Sequence, residues 1–397
     1  MHPHVISPRL LRTIDSQDPV TQFFARAKYM SRRTEPGSLD FIRGDVHEMP
    51  PSGFVEALDR AVVPQHERWY TYSENLPESQ RIVSETLKAK RGLSVEPEDI
   101  FMTNGGKAGL SICLQILAGE GDEVIIITPP WLGYRRMIID TGAVPVGVPV
   151  NPITFDLDLE ALVSAITERT RAILINSPHN PTGKIYSATT LEQLANLLAN
   201  ASDRFGQPIY LISDEVFSRI VFDNRSCPSP VQFYPFSFLV YSYSKTLMTP
   251  GQRMGYIALS PNMPDKESIR HAIYIAQRVT FGWCFPSALM QHALADIEQI
   301  ALDLDHLQQK RDWMVRELQE IGYKVQPPEG TFVLLVQSPW QDDCAFAELL
   351  ASHDVFVIPG TPQEIPGYFR LSLTASNDMI ARALPKLKAA MEYATNF

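Results

Sequence analysis

The chain has 397 residues, 45% of them hydrophobic and 20% charged, and a formal net charge of −10. That length supports a large core and about two domains. The acidic balance excludes non-specific binding to nucleic acid or to an anionic membrane, so an anionic ligand must be gripped by locally placed Arg and Lys.

The first 40 or so residues carry Pro3, Pro8, Pro19 and Pro36 and no apolar run of signal length. They predict an arm with one short helix, Gln22–Met30. Beyond the arm, apolar runs alternate with helical patterns. Strands are predicted at Ile100–Thr103, Val124–Thr128, Val144–Val150, Ala172–Asn176, Ile209–Ser213, Phe238–Ser242 and Tyr256–Ser260. Several of these runs are apolar almost throughout, as strands buried on both faces are. Helix patterns such as Leu110–Leu117 and Leu191–Ala201 lie between them, which argues for an α/β fold with a mostly parallel sheet wrapped by helices.

After about Ala295 the pattern changes. A long helix, Ile300–Ile321, precedes strands at Val333–Val336, Val355–Ile358 and Phe369–Leu373 and a last helix, Ala381–Tyr393. This reads as a smaller α+β domain. The expected division is 1–44 for the arm and a small-domain segment, 45–295 for the large domain and 296–397 for the small domain. Cys113, Cys227, Cys284 and Cys344 are scattered without metal-type spacing and read as reduced thiols of a cytoplasmic protein. No stretch approaches the roughly 18 apolar residues of a spanning helix.

Polar clusters fall just after the strand ends, where open α/β sheets bind ligands. Gly105 and Gly106, followed by Lys107, join a strand to a helix whose N-terminus offers N–H groups to a phosphate. Asn176-Ser177-Pro178-His179-Asn180-Pro181 holds side-chain amides in turns stiffened by proline, with His179 as a packing residue. Asp214 ends the apolar run Ile209–Ser213, a costly place for a carboxylate unless a cation pairs with it. Lys245 follows another apolar run, where a desolvated amine can form an imine with an aldehyde. Ser242 and Arg253 flank it with a hydroxyl and a guanidinium fork, the groups a phosphate ester needs. Arg370 lies in an otherwise apolar strand and suits bidentate binding of a carboxylate.

With these motifs in this order, the chain resembles the class I/II aminotransferases, the pyridoxal-phosphate (PLP) enzymes of the aspartate aminotransferase fold. The resemblance covers nearly the whole chain. It implies a large PLP-binding domain and a smaller domain built from the C-terminal part and the N-terminal arm. It further implies that Lys245 forms the Schiff base and shuttles the α-proton, and that Asp214 pairs with the pyridine nitrogen. Asn180 would bond the ring hydroxyl and Trp131 would stack on the ring. Gly105, Gly106, Lys107, Ser242 and Arg253 would hold the phosphate. Arg370 would grip the substrate carboxylate, with Gly44 and Asn180 beside it. Tyr70 matches a tyrosine that reaches the phosphate of a neighbouring subunit, which implies a homodimer with shared sites.

Some positions depart from the family pattern. Phe217 stands where a tyrosine usually bonds the ring hydroxyl, which leaves Asn180 as the main partner of that hydroxyl; the alternative is that Tyr134 or Tyr243 fills the gap. Asn75 replaces a usual glycine, and Gly44–Met49 lacks the usual Gly-x-Pro-Asp, so that His47 and Glu48 would face the substrate. Phe281–Phe285 is bulky, and the nearby Arg278 reads as a surface arginine or a side-chain carboxylate receptor. The implied function is transamination between an amino acid and a 2-oxo acid. The alternative is a PLP lyase, cyclase or oxidase acting on a modified amino acid. A transcriptional sensor is disfavoured by the retained Lys245, Asp214 and Arg253 and by the absence of room for a DNA-reading domain.

Overall fold

A computed structural model of the protein describes residues 6–16, 19–42 and 49–396. Gly44, His47 and Glu48 lie outside the described residues. In chain order the strands are β1 Leu39–Asp40, β2 Ile100–Thr103, β3 Glu123–Thr128, β4 Val144–Pro149, β5 Thr170–Asn176, β6 Tyr210–Asp214, β7 Ser237–Ser242 and β8 Gly255–Leu259, then β9 Val333–Gln337, β10 Val355–Phe356, β11 Ile358–Pro359 and β12 Tyr368–Ser372.

Seven strands form one sheet in the order β2-β8-β7-β6-β5-β3-β4. Every neighbouring pair is parallel except the two that involve β8, which runs antiparallel to β2 and β7. All six residues of β3 and of β7 are buried, because helices cover both faces of the sheet. Alternation along the strands sorts the side chains: Ile126, Leu174, Ile212 and Val240 pack with the Gly106–Leu117 helix, whereas Ile125, Ile173 and Leu211 pack with the Ala188–Phe205 helix. At the sheet edge, β4 has only one buried residue and carries Pro145 and Pro149, residues that an interior strand could not accept.

Near the C-terminus, β9, β12 and β11 form an antiparallel sheet. Helices Leu304–Ile321, Asp343–Ser352 and Asn377–Thr395 supply the rest of its core, which includes Leu318, Phe346, Leu371 and Leu387. Leu39 and Phe41 belong to the same core, and Leu39 pairs with Val355. The single strand expected at Val355–Ile358 is divided: β10 pairs with β1, and after Val357 the chain switches to pair β11 with β12. The arm also differs from expectation. It forms two helices, Pro8–Asp15 and Pro19–Arg26, followed by a tight turn of helix at Lys28–Thr34. Pro8 and Pro19 are the first residues of these helices, where a missing N–H costs nothing.

Candidate active site

The parallel strands end on one edge of the sheet, and β8 begins there because it runs the other way. This edge brings together the ends of β2, β5, β6 and β7 and the start of β8. A cavity of about 230 Å3 opens above it, with Asp214, Lys245, Arg253 and Asn180 among its walls. Gly106, Lys107, Trp131 and Ser242 also line it.

Asp214 is the last residue of β6 and is buried. Its Oδ2 accepts a hydrogen bond from the Tyr134 hydroxyl at 2.6 Å, and its Oδ1 accepts one from the Val216 amide at 3.2 Å. Burial pushes its pKa up to about 6, against the hydrogen bonds from Tyr134 and Val216 and the charge of Lys245. The carboxylate is thus bonded by neutral donors in a dry place and calls for a cation. Beside it, the Asn176 amide donates to the Asp214 carbonyl at 2.8 Å, and its oxygen accepts from the Asn180 backbone N–H at 2.8 Å. Asn180 is fixed in this way, while its own Oδ1 is buried with no hydrogen-bond partner.

The other end of the cavity is built for an anion. Arg253 Nη1 donates to Ser244 Oγ at 3.0 Å and to the Pro250 carbonyl at 2.9 Å, and Ser242 Oγ lies 3.2 Å from Ser244 Oγ. Gly105, at φ +86°, lies directly against this guanidinium, since a Cβ there would fall 2.3 Å from Arg253 Nη2. At Gly106 a Cβ would lie 2.9 Å from Val216 and 3.2 Å from Ser242. Ser244 lines the cavity as well, although the sequence pointed only to Ser242 as the hydroxyl. Its signal was present in the Ser-x-Ser-Lys spacing but not in any feature of Ser244 itself.

Lys245 forms part of the wall of this cavity and of a second one, of about 780 Å3, that contains Arg370. Arg370 is buried, donates to the Ile42 carbonyl at 2.7 Å, and has an Nε with no partner. Burial lowers its pKa to about 10, so it stays cationic at neutral pH. Phe24, Met30, Leu132 and Ile358 give the second cavity an apolar wall, and Lys28 and Arg33 add positive charge. The Pro19–Arg26 helix and the Lys28–Thr34 turn therefore form one side of it, which the sequence did not indicate.

Phe217 is buried, its ring 5.8 Å from Lys245 Nζ and edge-on to Phe332. Neither tyrosine considered as a substitute is a spare donor: Tyr134 serves Asp214, and Tyr243 donates to Glu298. Asn75 has a structural role, accepting from the Met102 amide at 2.7 Å and so tying its loop to β2. His179 is buried, and burial lowers its pKa to about 4, so it is neutral, and its Nδ1 is hydrogen-bonded with the Thr182 hydroxyl at 2.8 Å. Tyr70 is 53% exposed, donates to the Val62 carbonyl, and lines neither cavity. Arg278 lies on the surface, paired with Glu74 at 3.1 Å, and lines neither cavity either.

A phosphorylated aromatic cation fits this set: hydroxyls and a guanidinium at one end, a buried carboxylate bonded to a hydroxyl and a backbone amide at the other, and the unpartnered amide oxygen of Asn180 beside it. The family model for aminotransferase class I and II matches residues 40–387. The chain is 30% identical to an aspartate/prephenate aminotransferase of Thermus thermophilus, over 95% of this chain and 97% of that protein. It is 29% identical to a probable aspartate/prephenate aminotransferase of Thermus aquaticus, over 96% and 99% of the two chains. Among solved structures, an amino transferase of Eubacterium rectale superposes with a TM-score of 0.89 at 27% identity, covering 98% of this chain and 99% of that one. The Thermus thermophilus aspartate aminotransferase with maleate gives 0.82 at 28%, covering 97% and 99%. Cavity chemistry, fold and sequence agree, and the chain belongs to the class I and II aminotransferases: it is a PLP-dependent transaminase that moves an amino group between an amino acid and a 2-oxo acid.

Proposed function

We propose that Lys245 is the residue that carries the cofactor through its amine and moves the proton at the substrate α-carbon. The observation that carries this reading is its place in the wall of both cavities, the one with Asp214 and Arg253 and the one with Arg370. Bound PLP supplies a ring that stabilises negative charge at the α-carbon. Asp214 keeps a positive charge on the ring nitrogen, Asn180 bonds the ring hydroxyl and Trp131 covers a ring face. Gly105, Gly106, Lys107, Ser242, Ser244 and Arg253 hold the phosphate. Arg370 orients the substrate by its carboxylate, which satisfies the Nε left unpartnered in the structure.

The cations Lys28 and Arg33 beside an apolar wall support an amino acid with a second carboxylate, and the aspartate named for the relatives is the first donor to test. Large exposed side chains, among them Tyr72 at 90% and Val279 at 68%, support a homodimer. Tyr70 would reach the phosphate of the partner's site across that interface, and Gly44 would lie by the substrate. We retain the division at residues 44 and 295. We also retain the cytoplasm, supported by four cysteines that are free thiols. Borohydride reduction of the PLP-loaded enzyme followed by peptide mapping tests the central assignment. The label is expected on Lys245; a label on another lysine would overturn it.

A further inference from the structure

A third cavity, of about 430 Å3, shares no lining residue with the first two. Its wall carries four cations, Lys90, Arg91, Arg219 and Arg225, and no carboxylate. The two carboxylates that hold three of them, Glu298 and Glu215, are buried and line no part of the cavity. Glu298 takes Lys90 at 3.2 Å and Arg219 at 2.9 Å, and Glu215 takes Arg91. Arg225 has only long contacts, 3.5 Å to Glu329 and 4.0 Å to Asp223. Three cations sharing two carboxylates, with a fourth loosely held, leave positive charge facing the cavity. This occurs in a chain whose net charge is −10.

Two hydroxyls add donors. Ser226 lies in the wall, and so does Ser218, whose Oγ is buried with no hydrogen-bond partner. Guanidinium forks and hydroxyls are the groups that recognise a tetrahedral oxyanion. The volume lies within the roughly 300–1,000 Å3 of small-molecule sites and exceeds the needs of a single water. We propose that this cavity is a second anion site that binds phosphate, either as the free ion or as a small phosphate ester, separately from the cofactor's phosphate. Ser218 and Arg219 belong to the turn that follows Asp214 and Phe217, so the ligand would sit on the far side of a segment shared with the active site.

The test uses the PLP-loaded enzyme, in which the cofactor's own phosphate site is filled. Calorimetric titrations with inorganic phosphate and with glycerol 2-phosphate are run at ionic strength fixed with potassium chloride. Saturable binding is expected, weakened more than about tenfold in a Lys90→Gln/Arg225→Gln variant. Both side chains are half exposed, so cofactor absorbance and phosphate-free activity should match the wild type. Ser226→Asp, which puts a carboxylate on the wall from an exposed position, should give the same loss. Tighter binding of the ester would identify a phosphorylated metabolite, and equal or tighter binding of inorganic phosphate the free ion. No saturable heat, or wild-type affinity in both variants, overturns the proposal.

Discussion

Asp214 shows how the site sets stability against chemistry. Its pKa of about 6 lies above the ordinary 3.8, so the folded chain binds a proton that the unfolded chain releases between those values. Stability from this group is full below about pH 4 and falls as pH rises through 6. At pH 7.5, without cofactor, the ionised carboxylate costs roughly 3 kcal/mol. Asp214→Asn should therefore raise the urea midpoint of the cofactor-free protein at pH 7.5, by an amount that shrinks as pH is lowered to 5. Turnover of the loaded variant should fall more than about 100-fold while cofactor absorbance is retained. Near-normal turnover would place the essential carboxylate elsewhere. Phe217 gives a second expectation. Tyr134 and Tyr243 are both committed, so neither is free to replace the usual tyrosine. Phe217→Tyr should then lower the pH midpoint of the cofactor's visible absorbance, because a donated hydrogen bond favours the deprotonated form. An unmoved midpoint would show that another group fills that role. Asp214 and Lys245 were legible in the sequence because each ends a run of buried apolar residues, which makes a charge conspicuous. The Tyr134 hydroxyl on Asp214 was not, since it joins groups 80 residues apart that only the folded sheet brings together.

At the scale of elements, the starts and ends of the central strands fall within one or two residues of expectation. Burial on both faces leaves β3 and β7 no polar residue at which to end early. The division at Val357 could not be read, because the run Val355–Ile358 is continuous and only the partners differ. In the arm, helix Pro8–Asp15 was missed and helix Pro19–Arg26 was placed three residues late for a related reason: proline at a first helical position looks like a breaker when the cap is not recognised. Gly255 opens β8 and permits the closest backbone contact of the site. A Cβ there would lie 2.3 Å from the Tyr241 carbonyl and 3.1 Å from the backbone of Gly105 and Gly106. Because backbone cannot swing aside as a side chain does, Gly255→Ala should push the Gly105–Gly106 turn off the sheet. Affinity for PLP should drop at least about tenfold, with a lower melting temperature, as overpacking typically costs 1–3 kcal/mol. Wild-type affinity, measured by titrating cofactor absorbance, would mean that the turn absorbs the methyl group.

For the molecule as a whole, the arrangement of subunits decides whether one chain is enough. Tyr70 lines neither cavity of its own chain, and Tyr72 packs edge-on to Trp283 on the surface. The enzyme should sediment at twice the chain mass of 44.6 kDa. Mixing inactive Tyr70→Phe and Lys245→Ala chains should recover activity, because one site of each heterodimer keeps both residues. A fully active monomer would end this expectation. No helix among the described residues is long and apolar enough to cross a membrane. The strand order bears on synthesis too. β2 finds no partner in the sheet except β8, and Ile100 pairs with Ala258. Leu39 must wait longer still, for Val355. A ribosome that has released the first 240 residues has thus delivered Asp214 and Asn180 without the turn that carries Lys245 and Arg253. The nascent chain cannot close the cavity of Asp214 and Lys245 until β8 emerges, nor the cavity of Arg370 until β12 does, so a ligand of these cavities can act as a selective stabiliser only late in translation.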